Sequence, residues 1–305
     1  MRSSHAFPVL GVVRYASPVP TCQAASEVFG LDAGILTDPG GPIQPDTGAV
    51  AEEVVQGRDD RVLTRVGQAV RHPRQPWSAA TRALLEHLSR AGFMQSPRLV
   101  GTDSDADLLS FIPGTSGADG WVPAATEEGL AAAARLLRRY HDAVRDWRPE
   151  IEPVWFDGSI GTGNPGQVVR HGDFGPWNVV WDGNTPVGLL DFEYARPGDP
   201  LDDVAYACEY FVPFRDDAEC LRWLRYPEPP DRRMRLLIFA ESYGLSSADG
   251  LVDRVIAVQT DMRILVAQLA DRGLPRQVEM VAAGYLDRLQ ARTNWSLQHR
   301  HLIDP

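Results

Sequence analysis

The sequence predicts an α+β protein with a small β-rich lobe, a connector near residues 111–120 and a larger, mostly helical lobe. Short β-prone runs follow one another from Ala49 and are separated by polar or glycine-containing turns, which is typical of an antiparallel meander. After Leu201 the apolar residues recur mostly at helical spacing. Between these regions, two apolar runs flank the turn at residues 182–185 and predict a β-hairpin embedded in the helical lobe.

The small lobe is expected to span residues 49–114 and the helical lobe residues 115–305. Residues 1–48 are expected to form an N-terminal extension that ends in a linker, because their last part is dense in proline and glycine. Within the small lobe, a helix is predicted after Pro76 with Ser78 as its N-cap, followed by two strands around a polar turn.

The helical lobe is predicted to begin with a strong helix over residues 126–147. Thr126 caps this helix, with acidic residues in its first turn and arginines towards its end, as the helix dipole favours. A last helix is expected over about residues 276–295. In the hairpin turn, Gly183 and Asn184 are the residues suited to a positive φ.

Composition narrows the range of functions. The net charge of −11 and the pI near 5.1 argue against nucleic-acid binding and against docking on anionic membranes. An acidic protein suits a cationic small substrate, but acidity for solubility alone is the favoured explanation of this charge. No apolar run approaches the length of a membrane span, and no signal peptide is predicted. Three cysteines without metal-site spacing fit a reduced, cytoplasmic setting.

The polar residues that suggest chemistry lie in residues 168–203. Asn178 begins one hairpin strand and Asp191 ends the other, so the two side chains are expected at the same end of the hairpin. An amide oxygen and a carboxylate together favour Mg²⁺. Asp173, a few residues upstream, is placed to accept a proton from a substrate hydroxyl. These parts predict phosphoryl transfer.

The motifs HGDFGPWNVV and LLDFEYARPGDPLDDVAY resemble the aminoglycoside phosphotransferase family, which has a protein-kinase-like two-lobe fold. The family pattern H-x-D-x-x-x-x-N, then D-x-E, then G-D-P-x-x-D occurs here in order. The resemblance extends over about residues 55–270 and includes LLSFIPG as the hinge and LLRRYHDAV as the first large-lobe helix. It implies ATP or another nucleoside triphosphate and Mg²⁺ as cofactors.

The resemblance also implies roles for individual residues. Asp173 is the expected catalytic base, and Asn178 and Asp191 the expected Mg²⁺ ligands. His171 is the structural member of the catalytic loop. Five further positions are implied around these: Glu193 near the metal, Asp203 bracing the loop from the next helix, and the backbone of Ser110, Phe111 and Ile112 against adenine.

The small lobe departs from the family pattern. The chain contains no lysine, and all 30 basic residues are arginine, so the family's phosphate-binding lysine is absent. Arg71 stands at about the matching place, with Glu86 as a candidate ion-pair partner, although a guanidinium differs from an ammonium in reach and geometry. The expected phosphate-covering loop, residues 56–60, contains only Gly57 and two aspartates.

The predicted function is therefore an ATP-dependent kinase for a hydroxyl of a small molecule. The expected substrate is an aminoglycoside-like antibiotic or a metabolite, with a biosynthetic peptide as a further alternative and a non-catalytic binding protein as another. A cluster of acids in the helical lobe offers a site for a cationic substrate, but a solvated acidic surface explains it equally: Glu209, Asp216, Asp217 and Glu219. The oligomeric state is left open.

Two other groups of residues are predicted to be structural. Trp177 and Trp181 are expected in the core, with a substrate cleft as the alternative. Five histidines show no ligand spacing and are expected at the surface or in packing: His72, His87, His141, His299 and His301.

Overall fold

The small lobe is an antiparallel five-stranded sheet with one helix, in a computed structural model that describes residues 52–58 and 61–305. The sheet order is β1-β2-β3-β5-β4. Its strands are β1 (Glu52–Arg58), β2 (Arg61–Val66), β3 (Ala69–Pro73), β4 (Leu99–Thr102) and β5 (Ala106–Ser110). The predicted meander is confirmed. The predicted extension at residues 1–48 lies outside the described residues.

Helix α1 (Ser78–Arg90) packs the small lobe onto the rest of the molecule. Its buried face includes Leu84, Leu85 and Leu88, as the helical spacing predicts. The capping prediction is wrong: the Ser78 hydroxyl accepts a hydrogen bond from the Gln75 amide at 2.8 Å, before the helix, so it stabilises the preceding turn instead.

The large lobe contains helices of very different lengths. Thr126 caps α3 as predicted, since its hydroxyl accepts the Gly129 amide at 3.0 Å. The expected last helix is wrong in extent because Gly284, at φ 74°, separates two helices there. The helices are α2 (Trp121–Ala125), α3 (Glu127–Val144), α4 (Pro200–Phe211), α5 (Asp217–Trp223), α6 (Arg232–Tyr243), α7 (Leu251–Asp271), α8 (Pro275–Ala282) and α9 (Tyr285–His299).

Two short antiparallel pairs lie among these helices. The first joins β6 (Val168–Arg170) to β9 (Arg196–Gly198), a strand that the sequence pattern did not predict. The second is the predicted hairpin of β7 (Val179–Asp182) and β8 (Thr185–Leu189). Its turn has Gly183 at φ 58°, while Asn184 keeps a negative φ, so the expectation for Asn184 is wrong.

One hydrophobic core runs through both lobes, from Leu84 of α1 to Phe239 of α6. Trp181 of β7 is 1% exposed and belongs to this core, as predicted, and its backbone pairs with Thr115 of the connector. The core therefore fixes the hairpin against both lobes. None of the helices in the described residues is long and apolar enough to cross a membrane.

The buried Arg235 side chain joins three segments of the large lobe. Its guanidinium donates to the carbonyls of Phe211, Ala124 and Ala125 at 2.7–3.0 Å. Those carbonyls end α4 and α2, where helix termini leave oxygens without an intrahelical partner. One guanidinium therefore satisfies the ends of two helices that border the functional region.

We expect Arg235→Met to lower the free energy of unfolding by about 3 kcal/mol, because buried carbonyls lose charged donors. Chemical denaturation measures this change. Arg233→Met, on the exposed side of the same helix, is the matched control and should change stability by less than about 0.5 kcal/mol. Equal effects of the two substitutions would contradict the role of Arg235.

Candidate active site in the large lobe

The catalytic loop between β6 and β7 is held by one buried carboxylate, that of Asp203 in α4. Asp203 is 1% exposed and accepts the backbone amides of His171 at 2.6 Å and Gly172 at 2.9 Å. The His141 ring contacts the same carboxylate at 3.1 Å and the Tyr243 hydroxyl at 2.7 Å on its other side. Burial by itself raises the pKa of Asp203, but these partners, led by His141, lower it to about 2. Asp203 is therefore ionised and fully hydrogen-bonded.

Gly172 allows the loop to make this approach. Its φ is 79°, a conformation that side chains other than glycine's rarely adopt, and a Cβ there would collide with the Tyr194 carbonyl. The glycine thus lets the loop pass close to the segment after β8 while both amides face Asp203.

His171 is buried and neutral. Burial lowers the pKa of its ring, despite the opposing effect of Asp203. Its Nε2 donates to the Leu190 carbonyl at 2.9 Å, and its Nδ1 accepts the Asp173 amide at 3.2 Å. Both ring nitrogens thus link the loop to the end of the hairpin, which is a positioning role.

The Asp173 carboxylate lies at the centre of the site and is held by three donors. Tyr206 donates to Oδ1 at 2.5 Å, and the Asn178 amide donates to Oδ2 at 2.8 Å. The Trp177 indole lies farther from Oδ2, at 3.4 Å. Burial raises the pKa of Asp173 to about 7, and the charge of Asp191 adds to the rise, while Tyr206 and the Arg276 charge oppose it.

Asn178 and Asp191 meet at one end of the hairpin, as the strand lengths predicted. The Asn178 carbonyl accepts the Leu190 amide at 2.8 Å, which places the next residue, Asp191, beside it. Because the Asn178 side-chain nitrogen donates to Asp173, its amide oxygen points elsewhere. Asp191 has φ 60°, an unusual conformation for a residue other than glycine and one that occurs at functional sites.

This donor set fits Mg²⁺. The metal prefers oxygen ligands and usually takes only one or two from protein, with phosphate and water completing the shell. Asn178 and Asp191 offer an amide and a carboxylate, and within the described residues no three His, Cys, Asp or Glu side chains converge into an all-protein metal cluster. A cation near Asp191 also offsets the repulsion that raises the pKa of Asp173.

Arg71 makes two ion pairs within the small lobe. Its guanidinium contacts Asp103 at 2.9 Å and Asp105 at 2.5 Å, both in the β4–β5 turn. Glu86, its expected partner, is exposed on α1. The contact of Arg71 with the phosphates stays a prediction, and these two aspartates would compete with phosphate for its guanidinium.

His72, the next residue of β3, faces the site instead. Its Nδ1 lies 3.6 Å from the Glu193 carboxylate, two residues beyond Asp191. Successive strand residues point to opposite faces of the sheet. Because Arg71 and His72 are adjacent in β3, the face that presents His72 to the hairpin turns Arg71 away from it. Strand alternation along β3 is the sequence signal that distinguishes His72 from Arg71.

In the hinge segment, residues 110–112, most backbone amides expected to contact adenine already donate hydrogen bonds to other backbone carbonyls. The Ser110 amide donates to the Arg98 carbonyl and the Phe111 amide to the Gln68 carbonyl, each at 2.8 Å. Ile112 lies against β8, where a Cβ on Gly188 would come within 2.9 Å of its side chain. Of the expected phosphate loop, residues 56–58 belong to β1, and Asp59 and Asp60 lie outside the described residues.

Sequence reasoning missed two side chains that contact the loop residues. Tyr206 comes from α4, two turns after the start of the helix, and no motif marks it. His141 was expected in packing but contacts the Asp203 carboxylate. Trp177, expected in the core, is half-buried and packs against the core, with its ring 4.6 Å from that of Tyr210.

The acids that suggested a cationic substrate are engaged in structural contacts. Buried Arg215 lies 3.5 Å from Glu209 and 3.4 Å from Glu219. Asp217 pairs with Arg232 at 2.8 Å, and Asp216 caps α5. Three of the four acids thus lie beside arginines and the fourth caps a helix, so the cluster contributes to the stability of the helical lobe.

Comparison with known proteins agrees with this geometry. A model of the phosphotransferase enzyme family, APH, matches residues 155–237, which contain the catalytic loop and the hairpin. The trifolitoxin immunity protein of Rhizobium leguminosarum bv. trifolii is 34% identical over 215 residues, which cover 67% of this chain and 79% of that protein. The chain belongs to this phosphotransferase family.

Solved structures share the fold at low sequence identity. The ethanolamine kinase of Plasmodium vivax has a TM-score of 0.53 at 11% identity, covering 79% of this chain and 82% of its own. APH(2'')-IIa, in a ternary complex with streptomycin and ATP, has a TM-score of 0.50 at 11% identity, covering 93% and 99%. The kinase-like two-lobe α+β fold predicted from the sequence is confirmed.

We expect acid to remove the stabilising effect of Asp203. Its pKa is about 2 in the folded protein and 3.8 as a reference, so its contribution is present above about pH 4 and is lost as the pH falls towards 2. The loss amounts to about 2 kcal/mol. Urea unfolding of the wild type and Asp203→Asn over this range should show the stability difference between them shrinking by that amount. A difference that stays constant with pH would contradict the assignment.

Proposed function

We propose that the protein is an ATP- and Mg²⁺-dependent phosphotransferase that phosphorylates a hydroxyl group of a small molecule. The observation that carries the proposal is the Asp173 carboxylate, oriented by Tyr206 and Asn178 beside Asp191. Family membership supports the reaction class, and the reduced state of the buried cysteines Cys208 and Cys220 fits a cytoplasmic enzyme.

In this mechanism Asp173 accepts the proton of the acceptor hydroxyl as that oxygen attacks the terminal phosphorus of ATP. The bond from this phosphorus to the bridging oxygen breaks, and ADP leaves with that oxygen. Tyr206 and Asn178 keep the carboxylate in one orientation, and Asp203 fixes the loop that carries it. Asn178 and Asp191 would hold Mg²⁺, which neutralises charge on the phosphoryl oxygens when bound. Positioning and electrostatics therefore supply most of the catalysis.

The small lobe contains fewer side chains that are recognisable as nucleotide-binding groups. Arg71 is bound to Asp103 and Asp105, so His72 is the basic side chain of β3 nearest to the hairpin. This observation favours a second candidate, a kinase-like protein that binds its ligand without phosphoryl transfer. In both candidates the cleft between β3 and the hairpin is the ligand site.

We expect Asp173→Asn to reduce kcat for phosphoryl transfer by about 10²- to 10⁴-fold, the usual contribution of a general base. Purified protein, Mg²⁺, labelled ATP and a panel of hydroxylated compounds provide the assay. Asp182→Asn, an exposed carboxylate in the turn of the same hairpin, is the matched control and should keep full activity. Unchanged transfer by Asp173→Asn would remove Asp173 from the mechanism.

We expect Mg²⁺ and ATP together to raise the melting temperature of the wild type. A ligand at 100 times its Kd adds about 2.7 kcal/mol of stability. Asp191→Asn should lose most of the Mg²⁺-dependent part of this shift, because the variant lacks the anionic metal ligand. A shift without transfer to any acceptor would support a non-catalytic protein that binds nucleotide. The absence of any shift at millimolar ATP would contradict the phosphotransferase and favour a kinase-like protein that binds another ligand.

A further inference from the structure

The Trp177 indole lies beside the proposed catalytic carboxylate, and the proposed mechanism gives it no role. It belongs to the single helical turn Pro176–Asn178 in the catalytic loop. Its Nε1 donates to Asp173 Oδ2 at 3.4 Å, a longer contact than most hydrogen bonds. The neighbouring Pro176 and Asn178 are buried, whereas the indole is half-buried. Part of a large aromatic surface is therefore accessible next to the carboxylate that is proposed to accept the proton of the acceptor hydroxyl.

The orientation of the Trp177 ring is fixed by its packing. The rings of buried Trp121 and Tyr210 lie 5.8 Å and 4.6 Å from it, the second nearly perpendicular at 88°, which is a geometry that aromatic pairs favour. Gly175 lies against the same ring, because a Cβ at that position would collide with it. Since the indole is already held in place without a ligand, a ligand that stacks on it loses little free energy to ordering this side chain.

A continuous group of aromatic side chains joins Trp177 to both oxygens of Asp173. The Tyr206 ring lies 5.2 Å from that of Tyr210, and the Tyr206 hydroxyl donates to Asp173 Oδ1 at 2.5 Å. Trp177 donates to the other carboxylate oxygen. Tyr206 and Tyr210 are buried, so Trp177 is the member of this group that offers an aromatic surface to an acceptor at Asp173.

Two kinds of ligand group stack on an indole, a cation and a flat apolar ring. Sites that select quaternary ammonium cations surround them with an aromatic cage of several rings. Here Trp121 and Tyr210 are buried, and the guanidinium of Arg215 already lies over the Tyr210 ring, 4.8 Å from its centre. One accessible indole without a cage favours a flat ring as the ligand group.

The charges around Asp173 do not select a cation either. Asp191 acts on the Asp173 carboxyl with a negative charge and raises its pKa, whereas Arg276 acts on it with a positive charge and lowers its pKa. Because these charges are mixed, the number of accessible rings is the feature that distinguishes the two kinds of ligand group.

We propose that Trp177 is a specificity-determining residue that stacks on a neutral aromatic ring of the acceptor, next to the reacting hydroxyl. This inference rests on the proposed function, since that function places the acceptor hydroxyl at Asp173. Trp177 holds the ring and Asp173 the hydroxyl, so the acceptor is oriented for proton transfer by two neighbouring contacts. Trp177 takes no proton itself, and its ring acts on the affinity for the acceptor.

Ligand-observed NMR tests the stacking with three alcohols that share a hydroxyethyl group: phenethyl alcohol, its saturated counterpart cyclohexylethanol and the quaternary ammonium alcohol choline. The full chain is titrated in the presence of Mg²⁺ and ADP. We expect phenethyl alcohol to bind about three- to tenfold more tightly than cyclohexylethanol, the range that a stacked aromatic pair supplies. Equal affinity for these two alcohols, tighter binding of choline, or no binding of phenethyl alcohol would overturn the proposal.

Two substitutions separate the ring of Trp177 from its N–H group. Trp177→Phe keeps an aromatic ring and loses the donor to Asp173, whereas Trp177→Leu loses both. We expect Trp177→Phe to keep most of the preference for phenethyl alcohol and Trp177→Leu to abolish it. Trp177→Met, with a flexible side chain that fills irregular space, is a second variant without a ring. A preference that persists in the folded Leu or Met variant would refute the role of Trp177.

Trp223→Leu is the matched control, at another half-buried tryptophan of the helical lobe that packs against the core. Circular dichroism confirms that each variant is folded before titration. We expect Trp223→Leu to bind the three alcohols like the wild type. A loss of the preference in this control as large as in Trp177→Leu would show a general effect of packing and overturn the assignment to Trp177.

Phosphoryl transfer from labelled ATP to the same alcohols separates this proposal from the proposed function. We expect Trp177→Leu to have a KM for phenethyl alcohol about three- to tenfold above that of Trp177→Phe, with equal kcat because both variants lack the N–H group. A binding preference that depends on Trp177 without any transfer would refute the proposed function and support the stacking site. Transfer to phenethyl alcohol and cyclohexylethanol with equal KM would support the proposed function and refute the role of Trp177.

Discussion

The ionised Asp203 carboxylate is the interaction on which the active region depends. It is 1% exposed, and a buried charge of this kind is stable only when hydrogen-bond donors surround it. Here the donors are the amides of His171 and Gly172 and the ring of His141. The same contacts fix the catalytic loop to α4, to α3 and, through Tyr243, to α6. A single charge therefore determines where the loop lies relative to three helices.

The loop in turn delivers Asp173 into an environment that disfavours its charge. Burial and the neighbouring Asp191 raise the pKa of Asp173 to about 7, although Tyr206 and Asn178 both donate to it. The raised pKa means that a positive charge near the two carboxylates would stabilise the ionised form of Asp173. Asp191 also has a left-handed backbone conformation, which costs conformational free energy and is retained in the same part of the site.

The charges of the helical lobe are arranged in pairs that composition does not show. The overall charge of −11 is compatible with a cationic substrate and with acidity for solubility alone, and within the helical lobe Arg215 and Arg232 engage three of the acids. Near the catalytic loop the charges are mixed: Asp191 raises the pKa of Asp173, and Arg276 lowers it. Net charge describes the average surface, whereas recognition depends on the few charges that face the cleft.

The sequence by itself determined the fold class, the position of the hairpin and the short-range set of Asp173, Asn178 and Asp191. These depend on local periodicity, turn residues and spacings of a few residues, which the chain carries in linear form. Only the tertiary structure decided which face of β3 meets the site, and it placed His72 there and directed Arg71 to Asp103 and Asp105. It also brought Tyr206 and His141 to the loop from distant segments. Such contacts arise from packing between elements far apart in the chain, and no local pattern encodes them.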